Sequence, residues 1–156
     1  GQAIESTVAS PQPTSRKKLM LQAQKLTKAG KIEEARGVYR AIVRKWPNKL
    51  GTTDEAYFRL GELYYQKGKY RSALQEYVKV HDKFPKGVYA DDAYFRIGVC
   101  FMQIGELEDA QAFFQIILEN HPKSPLVKNS KAKLETIRKR LKAEKKKRQE
   151  AKKKKR

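Results

Sequence analysis

The feature that most constrains this chain is that it repeats itself. Residues 54–68 read DEAYFRLGELYYQKG and residues 91–105 read DDAYFRIGVCFMQIG, aligning without a gap. Asp54, Ala56, Tyr57, Phe58, Arg59, Gly61, Gln66 and Gly68 recur as Asp91, Ala93, Tyr94, Phe95, Arg96, Gly98, Gln103 and Gly105, each 37 positions later. Downstream, Ala73, Tyr77 and Pro85 correspond to Ala110, Phe114 and Pro122. An earlier, weaker copy carries Gly30, Ala35, Tyr39 and Pro47, 38 positions ahead of the second. Three copies at this period imply stacked supersecondary units, each completing its apolar face on its neighbour.

The periodicity within a unit predicts two helices. Ala56, Leu60, Leu63 and Tyr64 fall on one helical stripe, and Ala73, Leu74, Tyr77 and Val80 on another. Gly68 between them allows a left-handed exit from the first helix. Pro85 stops the second helix, and Lys86-Gly87 starts the connection onward. The small residues Gly61 and Ala73, like Gly98 and Ala110, let the two helices of a pair approach closely.

In pattern and order these units resemble the tetratricopeptide repeat. Tyr57, Leu60, Gly61, Tyr64, Ala73, Tyr77, Val80 and Pro85 stand at its signature positions, and Tyr94, Ile97, Gly98, Phe101, Ala110, Phe114, Ile117 and Pro122 repeat the set. The first unit keeps Ala23, Leu26, Ala35, Tyr39, Ile42 and Pro47, but has Gln22 for the usual Leu and Ala23 for the usual Gly. The resemblance implies an all-α solenoid of three helix-turn-helix units, residues 16–50, 54–87 and 91–124. A standard repeat is about 34 residues long, so extra residues separate the units here, at Asn48–Thr53 and Lys86–Ala90. That spacing, with the F-P, H-P-K-S-P and A-Y-F-R wording, is similar to bacterial cell-envelope repeat proteins of the Tol–Pal-associated and outer-membrane assembly lipoprotein types. The likeness implies a scaffold in the periplasm or envelope, with a cytoplasmic setting as the alternative.

The ends differ from the repeats. Residues 1–15 lack an apolar period and contain Pro11 and Pro13, so a flexible leader is expected there. With no starting Met and no apolar signal region, the chain reads as processed or trimmed, with room for a lost upstream anchor. Residues 125–147 read as a closing helix, because Val127, Ser130, Leu134, Ile137 and Leu141 step by threes and fours. Such a cap keeps the last apolar face out of water.

The formal net charge is +19, from 36 Lys and Arg against 17 Asp and Glu. Residues 131–156 hold fifteen basic and three acidic residues, so +12 of that charge sits at one end. The polybasic tail 148–156 reads as a solvated helix end fraying into disorder. As an anionic-partner surface it would extend back over Lys142, Lys145, Lys146, Lys147 and Arg148 to Lys152, Lys153, Lys154, Lys155 and Arg156. An anionic membrane surface is the first alternative partner. Nucleic acid ranks below it, because the run has no aromatic for base stacking.

Little in the chain suggests catalysis. His81 and His121 sit in different units, and His121 shares the aromatic-before-Pro position of Trp46 and Phe84, which argues for packing or capping. There is no H-x-x-x-H, no G-x-S-x-G and no phosphate-cradling glycine loop. Cys100, the single cysteine, allows no disulfide within the chain and no Cys-based zinc site. It aligns with Leu63, as a buried hydrophobe would. Asp91-Asp92 open a helix, where they complement its dipole. The reading is non-enzymatic, with no cofactor and no metal.

Binding is the better-supported role. In the family the first helix of each unit lines the concave groove, and the resemblance assigns Glu55, Phe58, Arg59, Glu62, Tyr65 and Gln66 to it from the second unit. From the third unit it assigns Asp92, Phe95, Arg96, Val99, Met102 and Gln103. Independently, Phe58, Tyr65 and Phe95 lie off the core stripe yet are aromatic, and beside Arg they suit a peptide or helix laid in the groove; the alternative is that Phe58 and Phe95 pack between units or under the closing helix. The family's carboxylate clamp uses Asn where this chain has Glu62 and Val99, which disfavours chaperone C-terminal peptides.

Overall fold

The computed structural model describes residues 13–156, and the reading of residues 1–12 as a leader falls outside them. Seven helices follow one another: α1 Pro13–Lys28, α2 Ile32–Lys45, α3 Thr53–Gln66, α4 Tyr70–Lys83, α5 Ala90–Ile104, α6 Leu107–Asn120 and α7 Val127–Lys154. The all-α architecture of three helix pairs and a closing helix is as the periodicity requires. One difference lies at the start. Pro13 opens α1, at a helix position where a missing N–H costs nothing.

Within each pair the chain reverses at a glycine with positive φ: Gly30 at 75°, Gly68 at 72° and Gly105 at 91°. A residue with a Cβ would be strained there. Between pairs, Trp46, Phe84 and His121 terminate α2, α4 and α6. Each donates its backbone N–H to the carbonyl four residues earlier, on Ile42, Val80 and Ile117, at 2.9, 2.9 and 3.0 Å. His121 thus caps a helix as its two aromatic counterparts do, and its Nδ1 lies 3.1 Å from Asp91.

The pairs close on small residues. A Cβ on Gly61 would lie 2.5 Å from the Tyr77 ring, and one on Gly98 2.7 Å from the Phe114 ring. Both rings are fully buried. One apolar cluster runs from Met20 and Ala23 through Tyr39, Leu60 and Tyr77 to Ile97 and Cys100, spanning all three units. A second gathers Val99, Leu107, Ala110, Phe114 and Ile137. Through Ile137 the closing helix covers the exposed end of the stack, as a terminal cap must.

The extra residues between units form structured connections. The Thr53 hydroxyl donates to the Trp46 carbonyl and accepts the Lys49 N–H at 2.8 Å, while fully buried Asp54 accepts the Gly51 N–H at 2.7 Å. At the other end α7 begins at Val127 and stays helical to Lys154, where fraying after 147 was expected. The cause is composition, since residues 142–154 are Lys, Arg, Glu, Gln and Ala, all strong helix formers, with no Gly or Pro. Every side chain beyond Leu141 is exposed.

Candidate functional site

The first helices of the three pairs lie side by side, as polar contacts between them show. Gln24 Nε2 on α1 donates to Glu55 Oε1 on α3 at 3.4 Å. Arg96 on α5 donates from Nε and Nη2 to the two carboxylate oxygens of Glu62 on α3, at 2.8 and 3.3 Å. The Arg96 guanidinium also lies 4.8 Å above the Tyr65 ring centre. Together α1, α3 and α5 present one face.

That face does not expose all the residues expected on it. Phe58 is buried, its ring centre 5.6 Å from Tyr77 and 5.2 Å from Tyr89. Val99 is buried too, at 6% exposure. Phe95 packs on Phe114 at 5.4 Å and, with Met102, sides with Leu134 and Leu141 of the closing helix. Of the two readings open for Phe58 and Phe95, packing between units and under the closing helix is the one observed, and not exposure in the groove. Tyr89 from the connection covers Phe58, and α7 lies over the third unit as another repeat would. Periodicity within one unit cannot register cover supplied by the next.

What remains accessible is mainly polar. Gln66, Asp92 and Gln103 are exposed, and Glu55, Arg59, Glu62, Tyr65, Arg96 and Met102 are half-buried. Arg59 Nη2 lies 3.6 Å from Glu55 Oε1. Glu62 accepts a third hydrogen bond, from the Tyr77 hydroxyl. Burial, then the Glu62 bond, hold the Tyr77 phenol far above its ordinary pKa. Burial works against the Arg96 charge, but Glu62 beside it more than compensates and raises its pKa. Partial desolvation on the side turned to the protein, then the Asp91 carboxylate beside it, raise the pKa of Asp92.

Two clefts open on the α1 side of this face. One, of about 270 Å³, is lined by Gln24, Thr27, Lys28, Tyr39 and Arg59. The other, of about 200 Å³, is lined by Arg16, Lys17, Met20, Gly51, Thr52 and Glu55. Apart from Glu55 and Arg59, these residues are not among those the resemblance assigns to the groove. A signal existed, because the 38-residue offset that aligns Tyr39 with Tyr77 also aligns Gln24, Thr27 and Lys28 with Glu62, Tyr65 and Gln66.

Two tetratricopeptide-repeat family models match the chain, over residues 20–88 and 64–134, together covering residues 20–134. The chain belongs to the tetratricopeptide-repeat family. No curated protein matches it. Among solved structures it is similar to the Yersinia enterocolitica type III secretion chaperone SycD in complex with a peptide of the translocator YopD. Identity is 21%, the TM-score 0.72, and the match covers 83% of this chain and 97% of that one. PcrH, in complex with the chaperone binding region of PopD, is similar at 20% identity and TM-score 0.72, over 86% of this chain and 98% of that one. The first repeat domain of Spaghetti (RPAP3), bound to an HSP90 peptide, is similar at 19% identity and TM-score 0.68, over 85% and 98%. At these identities the likeness is one of fold.

The other candidate chemistry lies apart from this face. Cys100 is fully buried, and burial pushes its thiol up to about 12. His81 stacks on Tyr94 at 4.8 Å, and burial lowers its pKa. Among the described residues no three His, Cys, Asp or Glu side chains group as a metal site would require. Also among them, no helix is long and apolar enough to cross a membrane.

Proposed function

We propose that this protein is an adaptor that captures a segment of a partner protein on the face of α1, α3 and α5. The observation that carries the reading is a row of charged and aromatic side chains the core leaves partly open. Arg59, Glu62, Tyr65, Arg96 and Met102 are all half-buried there, beside two clefts. Half-buried Arg and Tyr are the side chains from which binding hot spots are most often built. That proteins of the same fold were solved with peptides adds support.

Peptides selected from a random display library test the reading. Their amide shift changes should map onto α1, α3 and α5, and Gln66→Glu with Gln103→Glu, which put negative charge at two exposed positions of a basic face, should weaken them at least about tenfold. Mapping onto α7 or the opposite face would overturn it.

A bacterial cell-envelope setting is the further part of the proposal, with a cytoplasmic one as its alternative. It is supported by the 37–38-residue period and the wording of the inter-unit segments. The complete gene decides it: an upstream signal peptide or lipidation cysteine is expected, and neither would be found if the setting is wrong.

One observation favours a second reading, contact with an anionic surface. Beyond Leu141, α7 continues as an exposed helix carrying Lys142, Lys145, Lys146, Lys147, Arg148, Lys152, Lys153 and Lys154. Removing residues 142–156 should then abolish binding to anionic vesicles or RNA. Binding retained by the shortened chain at moderate salt would refute it.

A further inference from the structure

The two seams between units on the groove face are built from equivalent positions. Counted by the repeat period, Glu62, Tyr65, Gln66, Tyr77 and Arg96 at the second seam correspond to Gln24, Thr27, Lys28, Tyr39 and Arg59 at the first. At the second seam the chain supplies its own carboxylate. Glu62 accepts two hydrogen bonds from Arg96 and a third from Tyr77.

At the first seam that carboxylate is missing. Gln24 stands where Glu62 would, and an amide cannot neutralise a guanidinium. Arg59 is left with one long ion pair, Nη2 to Glu55 at 3.6 Å, with the Tyr89 hydroxyl beside both groups, and its Nε is buried with no hydrogen-bond partner. Glu55 is itself shared with Gln24 Nε2. Lys28 is exposed and makes no ion pair among the described residues. Between Arg59 and Lys28 lies the cleft of about 270 Å³, lined also by Gln24, Thr27 and Tyr39. The Arg59 side chain is 41% exposed, so a ligand can reach it. Guanidinium carries five donors in a fork that matches a carboxylate, and leaving a buried donor unpaired is costly.

We propose that this cleft receives a side-chain carboxylate, Asp or Glu, from within the partner segment, in the place that Glu62 fills at the second seam. The inference rests on the groove reading above and deepens it by naming one residue class of the partner. Arg59 pairs with the incoming carboxylate, Lys28 adds a second positive charge at the rim, and the second N–H of the Gln24 amide is a further donor, whereas the Thr27 hydroxyl already donates to the Ala23 carbonyl at 2.8 Å. Residues 1–130 carry a net charge of +7, which favours the approach of an acidic segment.

The test follows the arginine Nε–H resonances of the ¹⁵N-labelled full chain during titration. The probes are N-acetylglutamate α-amide, which keeps only the side-chain carboxylate, N-acetylglutamine α-amide, and N-acetylglycine, whose only carboxylate is C-terminal. A saturable shift of Arg59, with Arg96 unmoved, is expected with the glutamate probe alone, at an affinity on the order of millimolar. Gln24→Glu should fill the place from within the chain. It should move the Arg59 resonance towards that of Arg96 without ligand, weaken the probe at least about tenfold, and leave the circular dichroism unchanged. Equal shifts with the glutamine probe, equal shifts at Arg59 and Arg96, tighter binding of N-acetylglycine, or no saturation would each overturn the proposal. Display-selected peptides that map onto α1, α3 and α5 without distinguishing Glu from Gln would overturn this inference alone and leave the groove reading standing.

Discussion

At the scale of single residues, Glu62 ties two units together while occupying the middle of the proposed binding face. Its bonds to Arg96 and Tyr77 span α3, α4 and α5, so Glu62→Gln removes a charge-assisted pair and leaves a half-buried arginine poorly matched. Chemical denaturation should show a loss of roughly 1–3 kcal/mol. Cys100 gives a pH prediction. Burial raises its thiol from the ordinary 9.0 to about 12, so the native state holds a proton that the unfolded chain releases. Its contribution is complete below pH 9.0 and is lost as pH rises from 9.0 to about 12. Replacing Cys100 with Ala should make the profile less steep from pH 9.0 upward, most clearly between 9.0 and 10.0, because the raised phenols of Tyr39, Tyr65, Tyr77 and Tyr89 keep a slope of their own above 10.0. The sign for His81 is the opposite in its consequence for acid. Burial lowers its pKa, so acidification below the ordinary 6.5 protonates the unfolded chain first and destabilises the fold.

At the scale of helices, the glycines separate three physical roles that one residue type can play. Gly61→Ala would press a methyl into the Tyr77 ring, which is fully buried and has nowhere to move, and should cost roughly 1–3 kcal/mol. Gly68→Ala meets no atom within 4 Å but must hold a φ of +72°, so its cost is backbone strain of about 1 kcal/mol. Gly37 lies within α2, exposed and with nothing within 4 Å of an added Cβ. Gly37→Ala should therefore stabilise, by about 0.5–1 kcal/mol. Thermal unfolding of the three variants tests the ranking, and a destabilised Gly37→Ala would contradict it. The closing helix divides in the same physical terms. Ile137 is fully buried in the second cluster, so Ile137→Ala should cost roughly 2–5 kcal/mol. Removal of residues 142–156 should leave the melting temperature nearly unchanged, since no side chain there is buried.

In the molecule as a whole, short-range pattern along the chain dictates the unit, its period and the fact of stacking. Gly30, Gly68 and Gly105, the aromatic caps, and the alternation of Gly61 with Tyr77 are all consequences of short-range pattern. A repeat interacts with itself and its immediate neighbour under rules the period spells out. Even the first unit was legible once its 38-residue offset was known, although Gln22 and Ala23 blur its signature. Which residues of the groove face stay open depends instead on how the packed units and α7 cover one another. Tyr89 covers Phe58, and the cluster under α7 takes in Val99 and packs Phe95, while Met102 at its edge stays half-open. The same packing pairs Glu62 with Arg96 and leaves Arg59 short of a partner. Exposure and pairing depend on atoms brought together from separate units, and no periodicity within one segment records them.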